Sequence, residues 1–293
     1  MKISFVDFWD GFCPSNNLLF YLFRDVYENV EVTSPCSCDV LVYCSSNWCS
    51  TTHRQFNNCK RISFNGECLP NPNYDECDYS ITSFFNEFGG KNVRIPLWMF
   101  FVDWYNVGSW ENPGWLIPVD YLVNLNEFSQ KPKHKFCCTV FGNPEQNRLK
   151  MLGVINEYKN VDCFGHYFNN PIPQSGGIGE IEKMHVISDY KFSMCFENNL
   201  HIDGGWYTEK LLHAKVAGNI PIFYTDKKMS QDFNKKCCLN LVDYDMNMNL
   251  MLEDIIKIDV DDSLYKKILS EPLFTSPPNL DSVKENLSKT IIL

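Results

Sequence analysis

Residues Phe196 to Tyr224 read FENNLHIDGGWYTEKLLHAKVAGNIPIFY, and this stretch decides the fold class. A polar loop with two glycines follows an apolar run, and Thr208 caps a short helix that ends at Gly218. A second apolar run then closes the stretch. An apolar strand, a helix and another apolar strand in succession are typical of a parallel sheet covered by helices. The stretch therefore predicts an α/β protein.

The same alternation of strand and helix extends along both halves of the chain. In the first half the apolar runs predict strands at Ile3–Phe8, Asp39–Ser45, Lys60–Gly66, Asp78–Ser83 and Val93–Met99, and a helix at Leu18–Tyr27. In the second half they predict strands at Lys135–Phe141, Val161–Gly165, Tyr190–Phe196 and Asn219–Tyr224. A helix is expected from an N-cap at Asn143, with Pro144 at its first position, to about Tyr158. The polar segment Ser129–Lys135 is interpreted as a linker, which predicts domains at 1–132 and 133–275 and a C-terminal tail or helix at 276–293.

Charge and hydropathy exclude several classes of protein. The 293 residues carry a net charge of −10 and contain no Lys/Arg block, which argues against nucleic acid as a partner. No apolar run reaches the length of about 18 residues that a membrane-spanning helix needs. Acidic residues interrupt the N-terminal apolar run before a signal-peptide core can form, and the chain starts within its first strand. We therefore expect a soluble, cytoplasmic protein without an integral membrane segment.

Fourteen cysteines raise the question of a disulfide framework or a metal site. With no signal peptide, a disulfide framework is not expected. Cys36, Cys38, Cys44 and Cys49 form C-x-C-x5-C-x4-C, which could act as a zinc knuckle, but the usual CxxC pairs are absent. Reduced thiols that serve as small apolar side chains are the favoured interpretation, and no metal ligands are predicted.

The second half brings charged residues to points where loops enter helices, which are the ligand-binding places of parallel α/β folds. Arg148 lies near the start of one helix and Lys210 near the start of the next. Either could be an ordinary surface residue, yet two cations at one sheet edge would bind a phosphate together with the helix amides. Glu209 either stabilises the helix dipole or accepts hydrogen bonds from a ribose. No GxGxxG or Walker motif is present.

These motifs resemble the donor-binding signature of the α-1,3-fucosyltransferases, glycosyltransferase family 10. The resemblance is carried by YKFSMCFENN at 190–199, WYTEK at 206–210 and AGNIPIFY at 217–224, in order and at near-family spacing. It continues more weakly in ISFVDFW at 3–9, FNGECLPNPNYDECDYSITSF at 64–84 and KFCCTVFGNPEQNR at 135–148. The loop before TEK is about two residues longer than in the family because of Asp203-Gly204-Gly205, and Thr225-Asp226 stands where the family often has glycine.

The resemblance implies the GT-B architecture, in which two Rossmann-like domains face each other across a cleft. The second domain would bind GDP-fucose and the first an acceptor glycan. The reaction would be inverting transfer of fucose to an acceptor hydroxyl, with an α-1,3 linkage expected. Alternatives are a transferase of the same fold with another nucleotide sugar, or a non-catalytic sugar-binding module. The chain resembles the soluble members of the family, which are bacterial or viral. If it is viral, the resemblance implies that it acts in the host cytoplasm.

The resemblance also implies roles for individual residues. Arg148 and Lys210 would neutralise the pyrophosphate, and Glu209 would hold the ribose. The remaining residues implied in donor binding are Glu197 and Asn198 in the loop and an aromatic residue, either Trp206 or Tyr207. Glu67 matches the general base, although a carboxylate after a strand can be a simple turn residue. No cofactor would be obligatory, because Arg and Lys can stabilise the leaving diphosphate without a metal, while a divalent cation could stimulate.

Overall fold

The computed structural model describes residues 1–46, 49–68, 71–172 and 179–292, and the chain divides into two compact units. The first unit comprises Met1–Leu116, His201–Trp206 and Asn279–Leu293. The second comprises Ile117–Leu200 and Tyr207–Pro278. Each unit is therefore assembled from segments that are not continuous in the sequence.

In chain order the strands and helices are β1 (Lys2–Val6), α1 (Leu18–Val26), β2 (Glu31–Val32), β3 (Val40–Cys44), β4 (Lys60–Asn65), β5 (Tyr79–Thr82), β6 (Asn92–Arg94), β7 (Val102–Asp103), β8 (Ile117–Pro118), β9 (Lys135–Val140), α2 (Gln146–Asn156), β10 (Val161–Phe164), α3 (Gly179–Ile187), β11 (Tyr190–Met194), α4 (Glu209–Val216), β12 (Ile220–Phe223), β13 (Leu239–Asn240), α5 (Met248–Val260), α6 (Asp262–Leu269) and α7 (Asp281–Thr290). Strands precede helices repeatedly in both units, as the sequence pattern predicts.

Each unit is built on a parallel sheet. The first sheet has the order β2-β1-β3-β4-β5-β6 and the second the order β10-β9-β11-β12-β13, with parallel pairing throughout. Central strands such as β3 are apolar at every position because helices and loops cover both sheet faces. The parallel α/β fold expected from the sequence is confirmed.

Both sheets reverse their strand order beside their first strand. This switch point lies between β1 and β3 in the first sheet and between β9 and β11 in the second. The connections before and after such a point run to opposite faces of the sheet, which leaves a crevice at the carboxyl ends of the two strands. The carboxyl ends of β9 and β11 are therefore where the second unit is expected to bind a ligand.

Most expected elements are present with ends shifted by a few residues, and two expectations need correction. Helix α2 begins at Gln146 with Glu145 as its N-cap, so the expected cap at Asn143 with Pro144 as the first residue is wrong. The carbonyl oxygen of Asn143 instead accepts hydrogen bonds from the Glu145 amide and the Arg148 guanidinium, which forms a turn before the helix. The strand expected at Val93–Met99 is also too long, because β6 ends before Pro96 and Leu97–Phe101 form a 3₁₀ helix.

The compact units also differ from the domain limits expected at 1–132, 133–275 and 276–293. The units divide at Leu116, and residues 279–293 belong to the first unit. Ser129–Lys135, interpreted from the sequence as a linker, lies within the second unit. There the Lys133 ammonium donates to three backbone carbonyl oxygens, so this polar segment is anchored.

Candidate functional site

The loop after β11 is held by a buried carboxylate. Glu197 is 1% exposed, and its carboxylate accepts hydrogen bonds from the Thr208 amide at 2.8 Å and the Thr208 hydroxyl at 2.9 Å. Lys210 Nζ lies 3.3 Å from the same carboxylate. Burial raises the pKa of Glu197, while Lys210 and the Thr208 hydrogen bonds oppose the rise. Glu197 therefore lies beneath the loop and fixes the start of α4.

Thr208 and Lys210 form the N-terminal end of α4. The Thr208 hydroxyl accepts from the Lys210 amide as the expected N-cap, and it also accepts from Lys210 Nζ at 2.9 Å. Burial alone would lower the pKa of Lys210, but Glu197 and Glu209 outweigh it and bring the pKa above its usual value. The Lys210 side chain is thus a protonated cation that folds back over the amide end of the helix.

Arg148 reaches the same place from α2. It is 2% exposed, and its guanidinium donates to the carbonyl oxygen of Phe196 from Nε at 3.2 Å and from Nη2 at 2.6 Å. Nη1 donates to Asn143 O at 2.9 Å. These bonds use three of the five guanidinium N–H groups, so two can still donate to a ligand. Burial lowers the pKa of Arg148, with Glu197 opposing, yet an arginine remains charged.

Lys183 is a third cation of this cluster, and sequence reasoning missed it. It extends from α3, with Nζ 3.0 Å from His213 Nδ1 and 4.0 Å from a Glu209 oxygen. Burial and the Lys183 charge lower the pKa of His213 well below its usual value, so the neutral ring accepts a hydrogen bond from Lys183. A single lysine on a helix is ordinarily solvated, and no sequence pattern shows that Lys183 lies on the face of α3 that packs against α4.

Glu209 faces two of these cations. Its carboxylate lies 3.6 Å from Lys210 Nζ and 4.0 Å from Lys183 Nζ. Burial alone would raise the pKa of Glu209, but the two lysines outweigh it and hold the pKa well below its usual value. Its side chain remains 20% exposed, so its oxygens can still accept from a ligand hydroxyl.

The cluster carries an excess of positive charge. The cluster has three cations, which are Arg148, Lys183 and Lys210. Among the described residues, the carboxylates within salt-bridge distance of these cations are those of Glu197 and Glu209. The three cations line a crevice of about 20 Å³ at the carboxyl ends of β9 and β11. One net positive charge at a sheet edge and beside a helix N-terminus attracts an anion.

The remaining loop residues have different environments. Asn198 is half-buried where the loop leaves the strand. The Tyr207 ring is fully buried, and its hydroxyl donates to Asp226 at 3.0 Å. Trp206 belongs to the first unit, where its indole Nε1 donates to Gly66 O at 2.9 Å.

Glu67, the expected base, lies in the first unit just after β4. Its amide donates to Asn65 Oδ1 at 3.0 Å. Glu67 lines a pocket of about 330 Å³ to which five aromatic side chains contribute. The aromatic lining residues are Trp9, Phe12, Phe100, Phe101 and Trp110. A carboxylate beside aromatic faces is a suitable environment for a sugar ring with a hydroxyl to deprotonate.

In the described ranges no group of three or more His, Cys, Asp or Glu side chains is placed to hold a metal ion. The four cysteines of the C-x-C-x5-C-x4-C motif form no disulfide in the part of the chain that the structure describes. No helix among the described residues is long and apolar enough to cross a membrane.

The fold and the cation cluster together define an α/β protein with an anion-binding edge. The model of the α-(1,3)-fucosyltransferase FucT N-terminal domain matches residues 3–101, and the model of the C-terminal part of glycosyltransferase family 10 (fucosyltransferase) matches residues 129–270. The chain belongs to glycosyltransferase family 10, which confirms the resemblance seen in the sequence.

Individual relatives agree with this assignment. The chain is 32% identical over 169 residues to a putative fucosyltransferase of Acanthamoeba polyphaga mimivirus, which covers 55% of this chain and 28% of the relative. It is 26% identical over 281 residues to the α-(1,3)-fucosyltransferase FucT of Helicobacter pylori, which covers 89% of this chain and 57% of the relative. The chain therefore spans from about a quarter to somewhat over half of these relatives' lengths.

A solved structure has the same fold. A crystal structure of an α1,3-fucosyltransferase with GDP matches with a TM-score of 0.71 at 21% identity, and the match covers 98% of this chain and 88% of the other. A related crystal structure with GDP-fucose matches with a TM-score of 0.70. The GT-B class expected from the sequence is confirmed by this likeness.

Proposed function

We propose that this protein is an inverting fucosyltransferase that moves fucose from GDP-fucose to a hydroxyl of an acceptor glycan, with an α-1,3 linkage as the expected product. The observation that carries the proposal is the cation cluster at the switch point of the second sheet, in a chain of the fucosyltransferase family. A nucleoside diphosphate is the part of the donor that such a cluster fits. The relatives' names and structures support fucose as the sugar.

The donor contacts follow from the charges. Arg148, Lys183 and Lys210 would hold the diphosphate at the mouth of the crevice, because its volume of about 20 Å³ admits little more than a ligand atom or two. The exposed part of Glu209 would accept from the ribose hydroxyls, and Asn198 would line the loop. Glu197 acts indirectly by holding Thr208 and Lys210. A donor contact from one of the two aromatic residues, either Trp206 or Tyr207, stays a prediction.

The reaction needs one general base and a set of cations that binds the leaving diphosphate. The acceptor oxygen attacks the anomeric carbon, its proton passes to the Glu67 carboxylate, and GDP leaves with the electron pair of the broken C–O bond. The cations stabilise the negative charge that develops on the leaving diphosphate. Because this clamp consists of side chains, we propose that no metal is obligatory, and activity retained in excess chelator is the expected result. The expected cytoplasmic location stays a prediction.

Two rivals are separated by one panel of substrates. A transferase of another nucleotide sugar would release nucleotide from that sugar and not from GDP-fucose. A non-catalytic module would bind GDP but transfer nothing to any acceptor. Glu67→Gln tests the base, because loss of transfer with unchanged GDP binding is expected. Transfer at the native rate in that variant would exclude Glu67 as the base.

The cation cluster is tested by Lys210→Met. One charged contact to phosphate contributes about 1.5–3 kcal/mol, so GDP should bind roughly 10- to 100-fold more weakly in a calorimetric titration. Lys215→Met is the matched control, because Lys215 lies on the same helix and donates to the Leu269 carbonyl instead. Equal GDP affinity in both variants would refute the donor site.

Lys210→Met also leaves the buried Glu197 carboxylate without its cation, so folding must be checked by thermal melting. Lys183→Met provides a second variant that removes a cation of the cluster and leaves the contacts of Glu197 intact. It should weaken GDP binding in the same direction.

A further inference from the structure

The segment His201–Trp206 is docked on the first unit, although it connects a strand and a helix of the second. The His201 ring stacks on Phe84 with centroids 3.6 Å apart. Arg94 Nη2 donates to Gly205 O at 3.3 Å. Gly205 has φ +93, and a Cβ there would lie 2.6 Å from the Ser83 carbonyl oxygen. The glycine-rich insertion seen in the sequence therefore allows a close backbone approach that a residue with a side chain would prevent.

This segment ends at the peptide group that precedes Glu67. Trp206 is 3% exposed, and its indole N–H donates to Gly66 O at 2.9 Å. The N–H of the same peptide, which belongs to Glu67, donates to Asn65 Oδ1 at 3.0 Å. Both polar atoms of the Gly66–Glu67 peptide are thus held, one by the docked segment and one by the end of β4. The plane of this peptide sets the direction in which the Glu67 side chain leaves the backbone.

We propose that Trp206 is a positioning residue for the base Glu67, and that Gly205 is required to seat it. The inference rests on the proposed function, because it assigns Trp206 a role in proton removal and not in donor binding. Without the indole N–H, the Gly66 carbonyl loses its partner and the peptide plane can rotate. A displacement of the base by about 1 Å can lower a rate by as much as 100-fold. The docked segment therefore acts on the chemical step.

The first test is Trp206→Phe, which keeps an aromatic ring and removes the N–H. The turnover number for transfer should fall about 10-fold or more, while the Kd for GDP stays within about twofold. Trp104→Phe is the matched control, because the Trp104 indole donates to Met99 O at 2.8 Å within the same unit. It should leave transfer unchanged.

A double-mutant cycle distinguishes positioning from general destabilisation. If Trp206 acts through Glu67, Trp206→Phe should lower the residual transfer of Glu67→Gln by less than about twofold. An equal effect of Trp206→Phe in both backgrounds, or no effect in the native background, would overturn the inference. If the single variant Glu67→Gln transfers fucose at the native rate, Glu67 is not the base, and the inference is overturned as well.

Hydrogen exchange tests the same contact without turnover. Amide exchange in a peptide covering residues 64–68 should rise in Trp206→Phe and in Gly205→Ala. It should stay unchanged in Trp104→Phe and in Gly89→Ala, since Gly89 also has a positive φ, +70, but has open space around it. Unchanged exchange in Trp206→Phe would refute the positioning role. A native protein that transfers no fucose would instead refute the proposed function, so the two failures remain distinguishable.

Discussion

At the scale of single residues, Gly218 ends α4 where no other residue fits. Its φ is +75, and a Cβ would lie 2.7 Å from Ser129 Cα and 2.9 Å from Ser129 O. Gly218→Ala should lower the free energy of unfolding by about 2–4 kcal/mol, because left-handed strain adds to a backbone clash. Gly153→Ala, in the middle of α2 with open space around it, should raise that energy by about 0.5–1 kcal/mol. Urea unfolding measures both, and similar changes would contradict the argument.

Asp259 makes the stability of the second unit depend on pH in the acidic range. Burial alone would raise its pKa, but hydrogen bonds from Lys159, Lys191 and Tyr158 outweigh it and lower the pKa below its usual value. A carboxyl group whose pKa is lowered by folding stabilises the folded state. This stabilisation is fully present above the unfolded pKa of about 3.9, and it is lost as the pH falls through the pKa of the folded state.

Asp259→Asn should therefore reduce the free energy of unfolding by about 1–2 kcal/mol at pH 7, less than a fully buried pair because both lysines are partly exposed. The deficit relative to the native protein should persist down to about pH 4 and shrink below it. Glu285→Gln, which breaks an exposed pair, is the control: Lys289 also lowers the Glu285 pKa, but solvent screens this pair, so its pH trend should be much smaller. A deficit independent of pH between 7 and 2 would contradict the assignment.

The residue scale also shows how far sequence reasoning extends to the site. Thr208, Lys210 and Arg148 could be placed because a cap and two helix starts determine their positions along the chain. Lys183 could not be placed, since its role depends on the side of α3 that packs against α4. The contact of Trp206 with Gly66 joins residues 140 positions apart, and no local pattern encodes it.

At the scale of elements, the sequence predicts the strands well. Both faces of each sheet are covered, so the strands are continuous apolar runs in the sequence. Their ends shifted where a proline or a turn intervened, as at Pro96 and before α2. The polar segment Ser129–Lys135 is interpreted from the sequence as a linker because it contains a proline and carries several positive charges. Partial burial of Lys133 is possible because each of its three N–H groups donates to a carbonyl oxygen.

Lys133→Met tests this anchoring of the segment between β8 and β9. The variant leaves the carbonyls of Phe128, Ser188 and Ala217 without their charged donor, so the free energy of unfolding should fall by about 2–4 kcal/mol. Lys131→Met is the control, because Lys131 is half-buried like Lys133 but makes only one hydrogen bond, to His185 O, which is long at 3.5 Å. Chemical denaturation measures the difference, and equal stability of the two variants would show that the three bonds contribute nothing net.

At the scale of the whole molecule, the chain returns to the first unit at its C-terminus. Helix α7 packs on α1 and β6. The Tyr27 hydroxyl donates to Ile291 O at 2.7 Å, and Lys284 pairs with Asp25 at 2.6 Å. The sequence predicts a C-terminal tail or helix at 276–293, and the structure has the helix α7 there, at Asp281–Thr290. The sequence alone does not predict the unit to which this helix belongs, because the amphipathic pattern of a helix identifies its apolar face and not its partner.

Leu287→Ala tests whether α7 is an integral part of the first unit. Leu287 is fully buried, so the truncation should cost about 2–5 kcal/mol through lost burial and a cavity. Ile292→Ala is the control: Ile292 is 68% exposed, and Tyr79 bonds its backbone oxygen, which the substitution retains. Its effect should stay within about 0.5 kcal/mol. Hydrogen exchange followed by mass spectrometry should show faster exchange in α1 and β6 of Leu287→Ala, with α2 and α5 of the second unit unchanged. Faster exchange confined to α7 itself would mean that the C-terminal helix is a tail on the first unit and contributes nothing to its core.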